Sequence, residues 1–170
     1  MEFMSYLVIL RIGLMGLTFS IYLRKVFGKE DPAALLFSTA YALSGYLAAY
    51  NWNVMWLDCL ILLPLILLGA ERLVREGKWF MYTVTLGLCI LTNYYISIMI
   101  CIFLVFYFIL LFFTQKGGKL KAFLRFAWYS LLAGSVSMVL LLPEIAVLSA
   151  SGSAEDSFPK TLEWYFSVIA

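Results

Sequence analysis

Residues 46–58 are Tyr-Leu-Ala-Ala-Tyr-Asn-Trp-Asn-Val-Met-Trp-Leu-Asp, a polar and aromatic segment that lies between two apolar runs. Its paired tyrosines and tryptophans are typical of a membrane–water boundary, because amphipathic rings favour the headgroup level. An aromatic belt around an ordinary loop explains the rings, but it does not explain the polar groups. Asn51, Asn53 and Asp58 lie close together where the next apolar helix is predicted to begin, with Trp56 beside them. This arrangement suggests a rim that faces a ligand.

The composition is that of an integral membrane protein. Of the 170 residues, 64% are hydrophobic and only 13% are charged, whereas soluble domains have about 25% charged residues. Several apolar runs are long enough to cross a hydrocarbon core of about 30 Å as helices. The net charge of +2 gives no indication of nucleic acid, so the lipid bilayer is the expected partner. Because histidine is absent, we expect no His-based metal site. No residue is assigned as a metal ligand, the sequence shows no required cofactor, and dependence on a divalent metal is left open.

The apolar runs predict an all-α, polytopic transmembrane bundle of about six spanning helices over residues 1–150. Residues 151–170 are expected to form an outer loop and the start of a further segment. The basic loops near residues 24–32, 74–79 and 115–122 are predicted to be cytoplasmic, which places both termini outside. A start outside the membrane is unusual without an earlier helix, so we expect that a first spanning segment precedes this chain.

Two segments of this bundle have a more detailed interpretation. Residues 71–78 are predicted to be a solvated cytoplasmic turn, in which Glu71 and Arg75 have the spacing of a helix pair. Residues 80–113 are too few for two full spans, so they predict a hairpin of two slightly short helices with its turn at Asn93-Tyr94-Tyr95. That turn marks an outer cavity, or else it is a bend capped by its own Asn and Thr side chains.

Arg11 lies roughly 10 Å along the first helix from its outer end, by the helical rise. A charge at this depth is costly in lipid and normally faces protein, water or a ligand. Two interpretations are a donor phosphate or an intramembrane partner, and the alternative is snorkelling to the outer headgroups. Asp58 likewise has a functional interpretation, orienting a sugar, and a structural one, pairing with Arg11.

The predicted topology collects polar side chains at the outer ends of five helices. Arginine, carboxylates, amides and tyrosine together suit a polar headgroup carried on a lipid, with Arg11 available for a phosphate. The candidate binding residues are Arg11, Asn51, Asn53, Trp56, Asp58, Asn93, Tyr94 and Glu144.

Three segments of the chain, residues 44–58, 63–73 and 92–97, resemble those of the YfhO-type bacterial membrane proteins. The resemblance covers about residues 5–150, and the pairing of Trp-Asn-x-Met-Trp-Leu-Asp with Asn-Tyr-Tyr is fairly specific. That family is similar to the multi-spanning GT-C glycosyltransferases. The resemblance implies a multi-pass protein of the bacterial cell membrane that transfers sugar from a polyprenyl-phosphate donor. The implied acceptor is an envelope glycopolymer such as lipoteichoic acid, on the outer face.

In GT-C enzymes the acidic catalytic residue usually lies in the first outer loop, and this chain is expected to begin after that point. The resemblance therefore assigns no catalytic residue here, and this part alone is expected to be inactive. Two other classes remain open. A lipid or sugar transporter or flippase would also carry intramembrane polar groups, and a structural subunit of an envelope complex would need no cavity.

Overall fold

The computed structural model describes residues 2–28, 32–50, 52–114 and 118–150, and this part of the chain consists of helices joined by short connections. The helices, in chain order, are α1 (Glu2–Phe27), α2 (Pro32–Ala42), α3 (Gly45–Tyr50), α4 (Val54–Glu76), α5 (Phe80–Thr92), α6 (Tyr94–Thr114) and α7 (Lys119–Ala150). No strand occurs among the described residues, and the predicted all-α helical membrane bundle is confirmed.

In the part of the chain that the structure describes, four helices are long and apolar enough to cross a membrane. They are α1 from Phe3, α4, α6 and the Lys119–Val139 part of α7. All six predicted apolar runs are helical, but α2, α3 and α5 are each shorter than a full span. The reasons for these shorter helices are local.

The predicted run at residues 33–50 is divided into α2 and α3 by a break at Leu43 and Ser44. The Ser44 carbonyl accepts a hydrogen bond from the Leu47 N–H at 2.9 Å, which starts the new helix. The next residue, Gly45, is a poor helix former, and helices commonly kink at Gly/Ser pairs. The Ser-Gly pair therefore interrupts a run that is mostly apolar by composition.

The predicted hairpin at residues 80–113 is present, but its two helices are unequal. The 13 residues of α5 extend only about 20 Å, whereas the 21 residues of α6 are a full span. The turn is a single residue, Asn93, with extended backbone angles of φ −161° and ψ 111°. The position of Asn93 therefore sets the lengths of α5 and α6.

The helices alternate in direction. Two contacts join α1 to α4, Arg11 with Asp58 near their beginnings and Tyr22 with Glu71 near their ends, so these helices run the same way. The short connections then make α5 antiparallel to α4, and α6 antiparallel to α5. This alternation agrees with the order predicted from the loop charges.

Helix α4 lies at the centre of the core. Half of the residues in its most apolar window are buried (50%), compared with 11% for α1. It continues across Pro64 without interruption. Gly69 allows α5 to approach very closely, because a Cβ atom there would lie 2.7 Å from the Tyr82 Cα.

The chain divides into two compact units, Met1–Ser137 and Met138–Ala170. The first contains α1 to α6 and most of α7. The described part of the second is the remainder of α7, which includes Pro143. The outer loop predicted for residues 151–170 lies outside the described residues and stays a prediction.

Candidate functional site

Arg11 of α1 and Asp58 of α4 form a bidentate ion pair. The Arg11 Nε donates to Asp58 Oδ1 at 2.6 Å, and Nη2 donates to Oδ2 at 3.1 Å. The side chains are 22% and 33% exposed, respectively. Parallel N–H···O bonds between a guanidinium and a carboxylate are among the strongest polar contacts in proteins. This geometry favours an intramembrane partner for Arg11 over snorkelling.

One nitrogen of the Arg11 guanidinium is not used by this pair. Nη1 is buried and has no hydrogen-bond partner among the described residues. A buried donor without a partner is costly, so such groups usually mark a ligand, a water molecule or a strained site. The pair therefore keeps hydrogen-bonding capacity that the described residues do not satisfy.

The turn between α5 and α6 lies beside Asp58 through the next residue, Cys59. The Cys59 Sγ is 3.4 Å from Thr92 Oγ1 and 3.9 Å from the Asn93 carbonyl oxygen. Asn93 Oδ1 accepts the Ile96 N–H at 3.0 Å, and Thr92 Oγ1 donates to the Cys89 carbonyl at 2.9 Å. The Asn93 side chain thus caps α6. This geometry agrees with the second interpretation of the turn, a bend capped by its own Asn and Thr side chains.

A row of aromatic rings crosses the same end of the bundle. Tyr46 contacts Tyr50 at a centroid distance of 5.1 Å, Tyr50 contacts Trp56 at 5.9 Å, and Trp56 contacts Tyr95 at 6.3 Å. The ring against Trp56 thus belongs to Tyr95, while the neighbouring candidate Tyr94 is half-buried. The row joins α3, α4 and α6.

Asn53 precedes α4 and is held to it only through its backbone. The Asn53 carbonyl accepts the Trp56 N–H at 3.0 Å, and its side chain makes no capping hydrogen bond. Among the described residues, the side-chain amide of Asn53 has no hydrogen-bond partner, so it is available beside Trp56.

Of the eight candidate residues, five are brought to one end of the bundle by direct contacts or short turns: Arg11, Asn53, Trp56, Asp58 and Asn93. Tyr94 follows Asn93 directly. Asn51 lies outside the described residues. Glu144 lies on α7 within the second unit, and its side chain is also outside the described part.

A second polar cluster was missed by the sequence analysis. Glu71 is not a solvated loop residue as predicted, because it lies within α4 and is only 7% exposed. Its Oε1 accepts the Tyr107 hydroxyl at 2.5 Å and the Tyr22 hydroxyl at 3.4 Å, and the two hydroxyls are 3.0 Å apart. Arg75 Nη2 lies 3.9 Å from Oε2. The sequence feature that could have indicated this cluster is the presence of tyrosines, Tyr22 and Tyr107, inside the apolar runs of α1 and α6.

Asp58 does not line either of the two cavities that the structure describes. One, of about 290 Å³, lies beside Glu71 near the ends of α1 and α4. The other, of about 520 Å³, lies between α1 and α2 and is mostly apolar. A cavity at the Asn93 turn therefore stays a prediction. No group of three Cys, Asp or Glu side chains able to hold a metal occurs among the described residues.

Comparisons with known proteins identify the family. No curated protein and no solved structure matches the chain. The family model described as bacterial membrane protein YfhO matches residues 1–170, which is the whole of the sequence. This match extends the resemblance seen in residues 44–58, 63–73 and 92–97 to every helix described above. The chain is a multi-pass membrane protein that belongs to the YfhO family of bacterial membrane proteins.

Proposed function

We propose that this protein is part of a membrane glycosyltransferase that takes sugar from a polyprenyl-phosphate donor and delivers it to an envelope glycopolymer such as lipoteichoic acid. The observation that carries the proposal is the Arg11–Asp58 pair with its unused, buried Nη1. Similarity of the family to the GT-C class supports the reaction type.

The chemistry of the pair suits a phosphate diester. A guanidinium can hold a carboxylate with one edge and a phosphate oxygen with another, since it carries five N–H donors in a fixed plane. Asp58 occupies Nε and Nη2, so Nη1 is the nitrogen that would contact the donor phosphate, once the groups that cover it move aside. In a membrane-spanning segment Asp58 also offsets the charge of Arg11, which would otherwise be costly in lipid.

The neighbouring groups would bind the sugar. The free Asn53 amide can hydrogen-bond hydroxyls, and the Trp56 ring offers an apolar face next to it. Asp58 is assigned a positioning role, because both of its oxygens are held by Arg11. No residue of this chain is assigned as the catalytic base.

A charge-swap experiment in the whole protein tests this proposal. Arg11→Leu or Asp58→Leu alone leaves a partly buried charge unpaired, which costs about 3–5 kcal/mol, so the protein level in the membrane should fall. The double variant Arg11→Asp/Asp58→Arg restores the pair and should restore that level. Sugar transfer should stay at least about tenfold below wild type, because the guanidinium now extends from α4 and loses its bond to phosphate.

The control is Lys121→Gln, which removes an exposed cation on α7 and should change neither measurement. Transfer is measured as labelled sugar incorporated into the envelope polymer, divided by protein level. If the swapped protein inserts and transfers sugar normally, the pair is only a structural clamp, and the proposed site is wrong.

A transporter is the second candidate, because a second polar cluster at Glu71 lies on the same helices about 20 Å from Asp58, by the helical rise. Polar groups at two depths are expected along a transport path. The distribution of donor lipid separates the two classes. Loss of a transferase leaves the donor on the outer leaflet and the polymer undecorated, whereas loss of a flippase traps the donor on the inner leaflet.

A further inference from the structure

We propose that the cavity beside Glu71 binds a phosphate group, supplied by an anionic lipid headgroup. The cavity has a volume of about 290 Å³ and lies where α1 and α4 end. Three cations line it, Lys25 from α1 and Arg72 and Arg75 from α4. The volume is at the lower limit of ligand sites, which suits a headgroup and not a whole lipid.

The two carboxylates in the wall of the cavity already have other partners. Glu71 accepts hydrogen bonds from Tyr107 and Tyr22, which come from α6 and α1. Glu76 pairs with Lys78, whose Nζ is 2.8 Å from Oε2. Glu76 is therefore neutralised mainly by Lys78, whereas Glu71 keeps its negative charge beside Arg75, so the three cations still exceed the carboxylate charge that faces them.

The three cations have little other compensation. In the described part of the chain, the hydrogen bond of the Arg72 side chain is from Nη1 to the Met81 Sδ, at 3.7 Å, and a thioether is a weak acceptor; Glu76 is near enough for a longer-range attraction. Arg75 is 3.9 Å from Glu71, which is within ion-pair range but too long for a hydrogen bond. Among the described residues, no carboxylate lies within 4.0 Å of Lys25 or Arg72. The cavity thus presents unmatched positive charge.

A lipid is the favoured source of the phosphate because of where the cavity lies. It opens beside the last turns of two membrane-spanning helices, which would be level with lipid headgroups. Val26 and Leu68 add apolar surface to its wall. The basic loops predict that this end is cytoplasmic, and basic pockets on that side are known to take anionic headgroups.

The helix ends do not themselves favour an anion, since α1 and α4 both present carbonyl groups with partial negative charge here. Attraction must come from the three side chains. Removing the positive charges of these side chains should therefore abolish phosphate binding.

The experiment is native mass spectrometry of the purified chain in detergent, with added phosphatidylglycerol or phosphatidylcholine. We expect wild type to bind phosphatidylglycerol at least about tenfold more tightly than phosphatidylcholine. Arg72→Gln/Arg75→Gln should remove most of that preference, because each lost charge-assisted contact weakens binding about tenfold or more. The matched control is Lys119→Gln/Lys121→Gln, which removes the same charge from α7 and should keep the preference.

Two further measurements complete the test. Lys25→Gln changes an exposed residue at the cavity edge, so it should fold even if the double variant does not, and it should weaken phosphatidylglycerol binding severalfold. Glycerol 3-phosphate is added as a competitor: displacement of the lipid by it shows that the phosphate alone is recognised, and its failure to compete shows that the lipid is required.

The proposal is wrong if wild type binds both lipids equally. It is also wrong if the α7 control loses the preference as much as the cavity variants do. Either result leaves the proposed glycosyltransferase site unaffected, because Arg11 and Asp58 lie at the other end of the same helices.

Discussion

At the scale of single residues, the two polar contacts between α1 and α4 are the features with the clearest energetic consequences. Arg11–Asp58 neutralises two charges, whereas Glu71 is held by two tyrosine hydroxyls. Arg11 and Asp58 are 47 positions apart in the sequence, and Tyr22 and Glu71 are 49 positions apart. Both therefore report on tertiary packing and can be tested by removing single groups.

Tyr107→Phe should destabilise the bundle by about 1.5–3 kcal/mol, since it removes the shortest hydrogen bond to a buried carboxylate. Tyr22→Phe should cost less, because its bond to Glu71 is longer, 3.4 Å against 2.5 Å. Thermal unfolding in detergent provides the measurement, with Tyr6→Phe, at a position 67% exposed, as the control. Equal stability of the Tyr107 and Tyr6 variants would show that Glu71 does not depend on this hydroxyl.

At the scale of elements, the contact between α4 and α5 depends on the absence of one methyl group. Gly69→Ala would place a Cβ 2.7 Å from Tyr82 Cα and 2.8 Å from its backbone nitrogen, so the helices must separate. We expect a loss of about 1–3 kcal/mol, as for other overpacked cores. Gly13→Ala is the matched control, because its Cβ would meet nothing within 4 Å. Unchanged thermal unfolding of the Gly69 variant would contradict the close approach.

At the scale of the whole molecule, the alternating helices place the connections before and after α4 on opposite sides of the membrane, and the basic residues predict which side is cytoplasmic. Trp52 and Lys78 lie in the connections at opposite ends of α4, and both are well exposed. After replacement of the native cysteines, Trp52→Cys should react with an impermeant thiol reagent in intact cells. Lys78→Cys should react only after lysis. The reverse pattern would invert the orientation of the bundle and place the phosphate cavity outside.

The apolar runs, the turn at Asn93 and the charged loops were sufficient to predict a helical membrane protein with alternating helices, and the resemblance of residues 44–58, 63–73 and 92–97 predicted the YfhO family. These features are local, because burial of an apolar run in lipid depends on the composition of that run alone. What only the tertiary structure decided is which side chains face each other. The apolar residues surround each helix almost evenly, so the sequence pattern does not indicate which face of α4 is buried. Glu71 was taken for a loop residue because it begins a charged cluster, and the pairing of Arg11 with Asp58 stayed one of two interpretations until the two helices were placed side by side.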